Sequence, residues 1–136
     1  MRRLLVLLPL LAIAGCQTRP DVYSPVGNVR YTALGHDPFW MVTIGDDRIV
    51  LALGDEGGRA DGAINSFSYP RTLPRTVGGV RTWESGDGGT AAIGIEARRG
   101  PCTGSGGTLY QDHVRVRLSG RELTGCGGRM IEEPRG

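Results

Sequence analysis

From Val29 onward, apolar and polar residues alternate in short runs separated by turn residues, and apolar residues nowhere recur at helical spacing. The runs predict strands over Val29–Leu34, Phe39–Ile44, Arg48–Leu53, Ile64–Tyr69, Val80–Glu84, Thr90–Glu96, His113–Leu118 and Arg121–Thr124. Two junctions carry hairpin chemistry, because Gly45-Asp46-Asp47 and Ser119-Gly120 each sit between flanking strand runs. In the last hairpin Val114, Val116 and Leu118 alternate with Arg115, Arg117 and Ser119, which turns the apolar set inward and the arginines to water. Short strands, many turns and no helix predict an all-β fold, a small antiparallel barrel of about eight strands, with a two-sheet sandwich as the alternative. The barrel is preferred because closure removes exposed sheet edges.

The chain begins Met1-Arg2-Arg3, continues apolar from Leu4 to Ile13, and reaches the small residues Ala14 and Gly15 before Cys16. A basic start, an apolar core of roughly ten residues and a small-residue cleavage site describe a secretory signal, whereas spanning a bilayer takes roughly twenty apolar residues. Ile13-Ala14-Gly15-Cys16 resembles the lipobox of bacterial lipoproteins. That resemblance implies cleavage ahead of Cys16, diacylglycerol on its sulfur, and a further acyl chain such as palmitate on the new amino terminus. One chain alone anchors only marginally, so several are needed for stable tethering. By the same resemblance, Gln17, where inner-membrane retention signals carry aspartate, implies the outer membrane in a host that has one, with the domain facing the periplasm. The expected organisation is therefore a signal peptide over 1–15, a lipid-anchored linker over 16–28 with Pro20 and Pro25, a barrel over 29–128 and a polar tail over 129–136.

Loss of Arg2 and Arg3 with the signal leaves 14 of the 16 basic residues against 14 acidic ones. All are arginine, scattered rather than clustered, which argues against nucleic acid as a partner. Of three cysteines, assigning Cys16 to lipid leaves Cys102 and Cys126, and an oxidising compartment allows them to pair. Closing that loop of about 25 residues contributes about 3 kcal/mol in the chain-entropy model. A metal or redox pair is disfavoured, since no CxxC occurs and His113 is the single histidine between them. The glycine clusters Gly54–Gly62, Gly86–Gly89 and Gly100–Gly107 read as loops; without phosphate-loop or dinucleotide context they call for no cofactor. The acidic run 55–62 lacks calcium-loop spacing and reads as a surface loop.

Two segments carry candidate chemistry. In Gly35-His36-Asp37-Pro38-Phe39-Trp40, Asp37-Pro38 predicts a turn and at least one ring supplies core area; alternatively His36, Asp37, Phe39 and Trp40 form a ligand or partner site at a barrel mouth. The second pairs Cys102-Thr103-Gly104-Ser105-Gly106 and Tyr110 with the closing Leu123-Thr124-Gly125-Cys126-Gly127. Together these motifs are similar to a family of small, uncharacterised bacterial envelope lipoproteins, some of which carry a META domain. The family pattern has asparagine and glutamate where this chain has His36 and Asp37, and an aspartate and a methionine that this chain lacks in the middle motif. Ser105, Gly106 and Tyr110 also resemble part of the loop that membrane-bound inhibitors of c-type lysozyme insert into the enzyme cleft. An enzyme is not expected: Ser105, Asp112 and His113 have suitable chemistry, but Asp112 and His113 are neighbours on a strand and point to opposite faces. The sequence thus predicts a lipid-anchored binding or envelope-maintenance module that contacts an envelope protein or cell-wall glycan, with lysozyme inhibition as the second reading.

Overall fold

The computed structural model describes residues 27–54, 64–86 and 92–131. The signal segment, Cys16, most of the linker and the acidic loop lie outside the described residues. The described chain is all-β, one nine-stranded antiparallel sheet curled into a half-barrel. Since every strand among the described residues belongs to that sheet, they form no two-sheet sandwich. The strands are β1 (Tyr31–Gly35), β2 (Trp40–Ile44), β3 (Arg48–Gly54), β4 (Ile64–Pro70), β5 (Arg75–Val77), β6 (Val80–Ser85), β7 (Ile93–Thr103), β8 (Leu109–Leu118) and β9 (Arg121–Met130). Their order across the sheet is β4-β3-β2-β1-β9-β8-β7-β6-β5.

This order explains how eight predicted strands become nine. Counting antiparallel neighbours from β1 in both directions makes β4 and β5 run the same way, although they form opposite edges. The chain therefore passes from one edge to the other through residues 71–74 without reversing. β4 pairs with β3 and β5 pairs with β6, as if one bent strand were shared between the two edges. The Ser85 hydroxyl, buried at the end of β6, donates to the Pro70 carbonyl at 2.5 Å and ties the edges together.

Inside the curl lie Tyr31, Ala33, Trp40, Val42, Ile44, Ile49, Leu51, Trp83, Ile93, Ile95, Ala97, Val114, Val116 and Leu123. They follow the two-residue period of their strands, so the inward set is dictated by sequence alternation. β9 departs from the expectation most, continuing to Met130 where the pattern predicted an end at Thr124. Its glycines are the reason. A β-carbon on Gly125 would lie 2.1 Å from the Leu34 carbonyl oxygen and 2.8 Å from Cζ2 of Trp40. One on Gly127 would lie 2.7 Å from Cβ of Ala33 and 2.8 Å from the Tyr31 hydroxyl. β9 is a strand whose inward positions 125 and 127 must lack side chains so that β1 and the rings of Tyr31 and Trp40 can lie against it.

Cys126 sits between these glycines and is bonded to Cys102, with Cα atoms 5.6 Å apart. Adjacent strands lie about 4.8 Å apart, so β7 and β9, separated by β8, would be about 9.6 Å apart in a flat sheet. The bulges between Arg99 and Cys102 and between Tyr110 and Asp112 let the far arm of the β7–β8 hairpin bend towards β9, where the disulfide holds it.

Gly125→Ala is expected to destabilise the domain by about 3 kcal/mol, the upper range for overpacking, because the obstacle is backbone. Gly106→Ala meets nothing within 4 Å and carries only the strain of a φ of 77°, so it should lose about 1–2 kcal/mol. Urea melts of the two variants check this ordering, and equal midpoints would contradict the packing of β1 on β9.

Candidate functional site

The two segments singled out in the sequence do not form one site. β1 runs from Tyr31 to Gly35, so the turn His36–Phe39 lies at one end of the barrel. β7 and β8 extend past the other end, where Ser105–Gly107 makes a single 3-10 turn at the hairpin tip. At the first end Trp40 is 1% exposed and belongs to the core, its indole N–H donating to the Thr124 carbonyl at 3.2 Å. Gly35 and Gly125 leave room for that ring. Phe39 is 37% exposed and faces the exposed His36 with ring centroids 6.0 Å apart, while Asp37 occupies the left-handed region at φ 60°. The pair of rings thus divides, one inside and one at the surface.

At the tip Ser105, Gly106 and Gly107 are exposed, and Gly106 and Gly107 have positive φ. Tyr110 is half-buried, and its ring lies 2.9 Å from where a β-carbon on Gly104 would stand. Asp112 and His113 do point to opposite faces, Asp112 inward and His113 to water.

The sequence reading missed a charged cluster inside the end of the barrel beneath this tip. Asp112 is 2% exposed. It accepts a hydrogen bond from the Tyr31 hydroxyl at 2.8 Å and one from Nε of Arg99 at 3.0 Å, with a terminal nitrogen of Arg81 at 3.7 Å. A buried carboxylate requires such partners, because desolvation of an unpaired charge exceeds what one domain can tolerate. The Arg81 guanidinium also lies 5.1 Å from the ring centroids of both Tyr31 and Trp83, a cation–π arrangement. Tyr31 crosses above Gly127 to reach Asp112, and Gly128 at φ 78° turns the chain beside the same carboxylate.

Strand parity was the available signal. Asp112 shares the inward register of Val114, Val116 and Leu118, and Arg81 that of Trp83. Extending the alternation by one step in each strand would have placed both charges inside. Burial, reinforced by the hydrogen bond to Asp112, pushes the Tyr31 hydroxyl well above its ordinary pKa of 10.0.

Beside this cluster opens a cavity of about 350 Å³ whose lining includes Arg30, Tyr31, Asp46, Arg71, Arg81 and Trp83. β1 supplies Tyr31, the residue before it Arg30, the β2–β3 turn Asp46, the 71–74 connector Arg71, and β6 Arg81 and Trp83. Nε of Arg30 donates to Asp46, and the Arg71 guanidinium reaches the Asp46 carbonyl at 3.3 Å and its carboxylate at 3.9 Å. The hydrogen bond from Arg30, then one from Asn28, holds the Asp46 carboxyl below the usual carboxylate range. Nε of Arg71 and the Thr72 hydroxyl are buried without a hydrogen-bond partner among the described residues. Neither a family model, nor a curated protein, nor a solved structure matches the chain.

Tyr31→Phe should cost about 1.5–3 kcal/mol at neutral pH, the range for a hydrogen bond to a charged group. Because folding raises the Tyr31 pKa, its stabilisation is complete below the unfolded value near 10.0 and is lost as pH rises towards the folded one. Wild-type stability should therefore fall above pH 10.0 more steeply than that of Tyr31→Phe, as measured by chemical denaturation across pH. Parallel curves would show that the hydroxyl is not coupled to folding.

Proposed function

We infer that this protein is an envelope lipoprotein, tethered through Cys16, whose stapled β-scaffold serves as a non-catalytic binding module. The observation that carries this reading is the pairing of Cys102 with Cys126, which leaves Cys16 as the single remaining cysteine of the chain, at the lipobox-like position. A disulfide between strands is chemistry of an oxidising compartment outside the cytosol, where an exported lipoprotein folds. The Pro-containing linker would hold the domain away from the bilayer, leaving both ends of the half-barrel accessible to an envelope protein or glycan.

The exposed turn Ser105–Gly107 favours one specific second reading. It projects from the longest hairpin of the sheet and is braced by the disulfide, as a loop that enters an enzyme cleft must be. In that reading the protein inhibits c-type lysozyme, the Ser105 hydroxyl meeting a catalytic carboxylate of the target.

Metabolic labelling with palmitate tests the anchor. Label is expected in the wild-type chain and absent from Cys16→Ser; an unlabelled wild type overturns the tether. Lysozyme digestion of cell walls tests the second reading, with slowing expected at roughly micromolar protein and relief of about tenfold in Ser105→Ala. Digestion at an unchanged rate dismisses it.

A further inference from the structure

We propose that the cavity between the 71–74 connector and the β2–β3 turn binds a phosphate monoester dianion, the phosphoryl oxygens being held by Arg30, Arg71 and Arg81. This deepens the binding-module reading by naming a ligand class, and it stands whether or not Cys16 carries lipid. Charge is the first argument. Four guanidinium groups converge at this end, Arg30 and Arg71 on Asp46, and Arg81 and Arg99 on Asp112. Two carboxylates for four arginines leave an excess of two positive charges, and adding the neighbouring Arg48–Asp47 pair changes nothing. At the cavity wall itself Arg30, Arg71 and Arg81 face one lining carboxylate, Asp46, again an excess of two, in a chain whose basic and acidic residues beyond 1–15 balance.

Unmet hydrogen-bonding capacity is the second argument. Arg71 lines the cavity with about a quarter of its side chain exposed, and since its Nε–H is enclosed without an acceptor among the described residues, the donors it can offer a ligand are those of its terminal nitrogens. Its contacts to Asp46 are long, 3.3 Å to the carbonyl and 3.9 Å to the carboxylate. A guanidinium presents its donors as a planar fork matched to two oxygens of one oxyanion, and a tetrahedral phosphoryl group offers such an edge to more than one arginine at once. Arg81 lies over the adjacent Tyr31 and Trp83 rings, 5.1 Å from each centroid, and is held by Asp112, so it needs little reordering to receive an anion.

Size and charge narrow the class. The volume of about 350 Å³ lies at the lower end of the roughly 300–1,000 Å³ range of small-molecule pockets, which leaves room for an organic group as well as the phosphoryl. Two excess charges match a monoester or inorganic phosphate near neutral pH, whereas a diester such as a phospholipid linkage carries one.

Asp46 makes the proposal separable from a structural account. Its carboxylate occupies Arg30 and Arg71 and repels an incoming anion, so removing its charge should strengthen binding even though it removes an ion pair. Calorimetric titration of the full chain in detergent with inorganic phosphate, glucose 1-phosphate and dimethyl phosphate tests this, with circular dichroism melts to confirm folding of each variant. Inorganic phosphate and glucose 1-phosphate should bind at least about tenfold more tightly than dimethyl phosphate. Equal affinity for those two monoanion-to-dianion ligands would assign recognition to phosphoryl alone, and tighter glucose 1-phosphate would assign a share to the organic group; either supports the site. Arg71→Gln should weaken phosphate by about tenfold, and Asp46→Asn should tighten it several-fold. No heat with any ligand at about 10 mM, affinity unmoved by Arg71→Gln, or weaker binding in Asp46→Asn would each overturn the proposal.

Discussion

The close approach of β1 to β9 is the constraint on which this molecule depends. Strands β2–β4 join the sheet through β1, and strands β5–β8 join it through β9, so the two halves meet along a seam. Its paired register is short, Ala33 with Gly127 and Leu34 with Cys126. Side chains reinforce it from both faces. On the inside, the Trp40 indole reaches the Thr124 carbonyl, and the Tyr31 hydroxyl passes over Gly127 to Asp112 on β8. On the other face, the Cys126 bond to Cys102 attaches the β7–β8 arm to the same stretch of β9. The Gly-Cys-Gly sequence answers to this geometry: each glycine clears the inside for a ring, and the cysteine between them staples the outside.

The same seam organises the charged end of the barrel. A carboxylate at Asp112 would be a severe liability in an apolar interior, and it is tolerated because β1, β6 and β7 each bring a partner to it. Those partners also orient the cavity wall, since Tyr31 and Arg81 belong both to the buried cluster and to the lining. Folding and any binding at this end therefore share residues. The opposite end, with His36 and Phe39 at the surface, has no comparable buried charge among the described residues.

Much of the sheet was legible because alternation is a local signal. The β2–β3 and β8–β9 hairpins and most core positions follow directly from period two and turn residues. The lengths of β7 and β9 were not legible, because Gly100 falls in a glycine cluster that reads as a loop and the alternation stops before Gly125 and Gly127, where the packing of Tyr31, Trp40 and the β1 backbone makes glycine necessary within a strand. β5 is not legible because a three-residue exposed edge leaves almost no pattern. For the site, the His36–Trp40 and Ser105–Tyr110 segments drew attention through composition, yet topology places them at opposite ends. Asp112, Arg81 and Tyr31 come together only through pairings between distant strands, and a single sequence carries no direct trace of those.

Amide hydrogen exchange under native conditions tests the seam most directly, since it reports the free energy of opening residue by residue. If β1 and β9 unite the two halves, the protected amides among Ala33–Gly35 and Gly125–Gly127 will exchange only through global unfolding, with the same opening free energy as those at the centre of β7 and β8. Faster exchange confined to the seam, with both halves still protected, would show that they separate independently and would contradict this account.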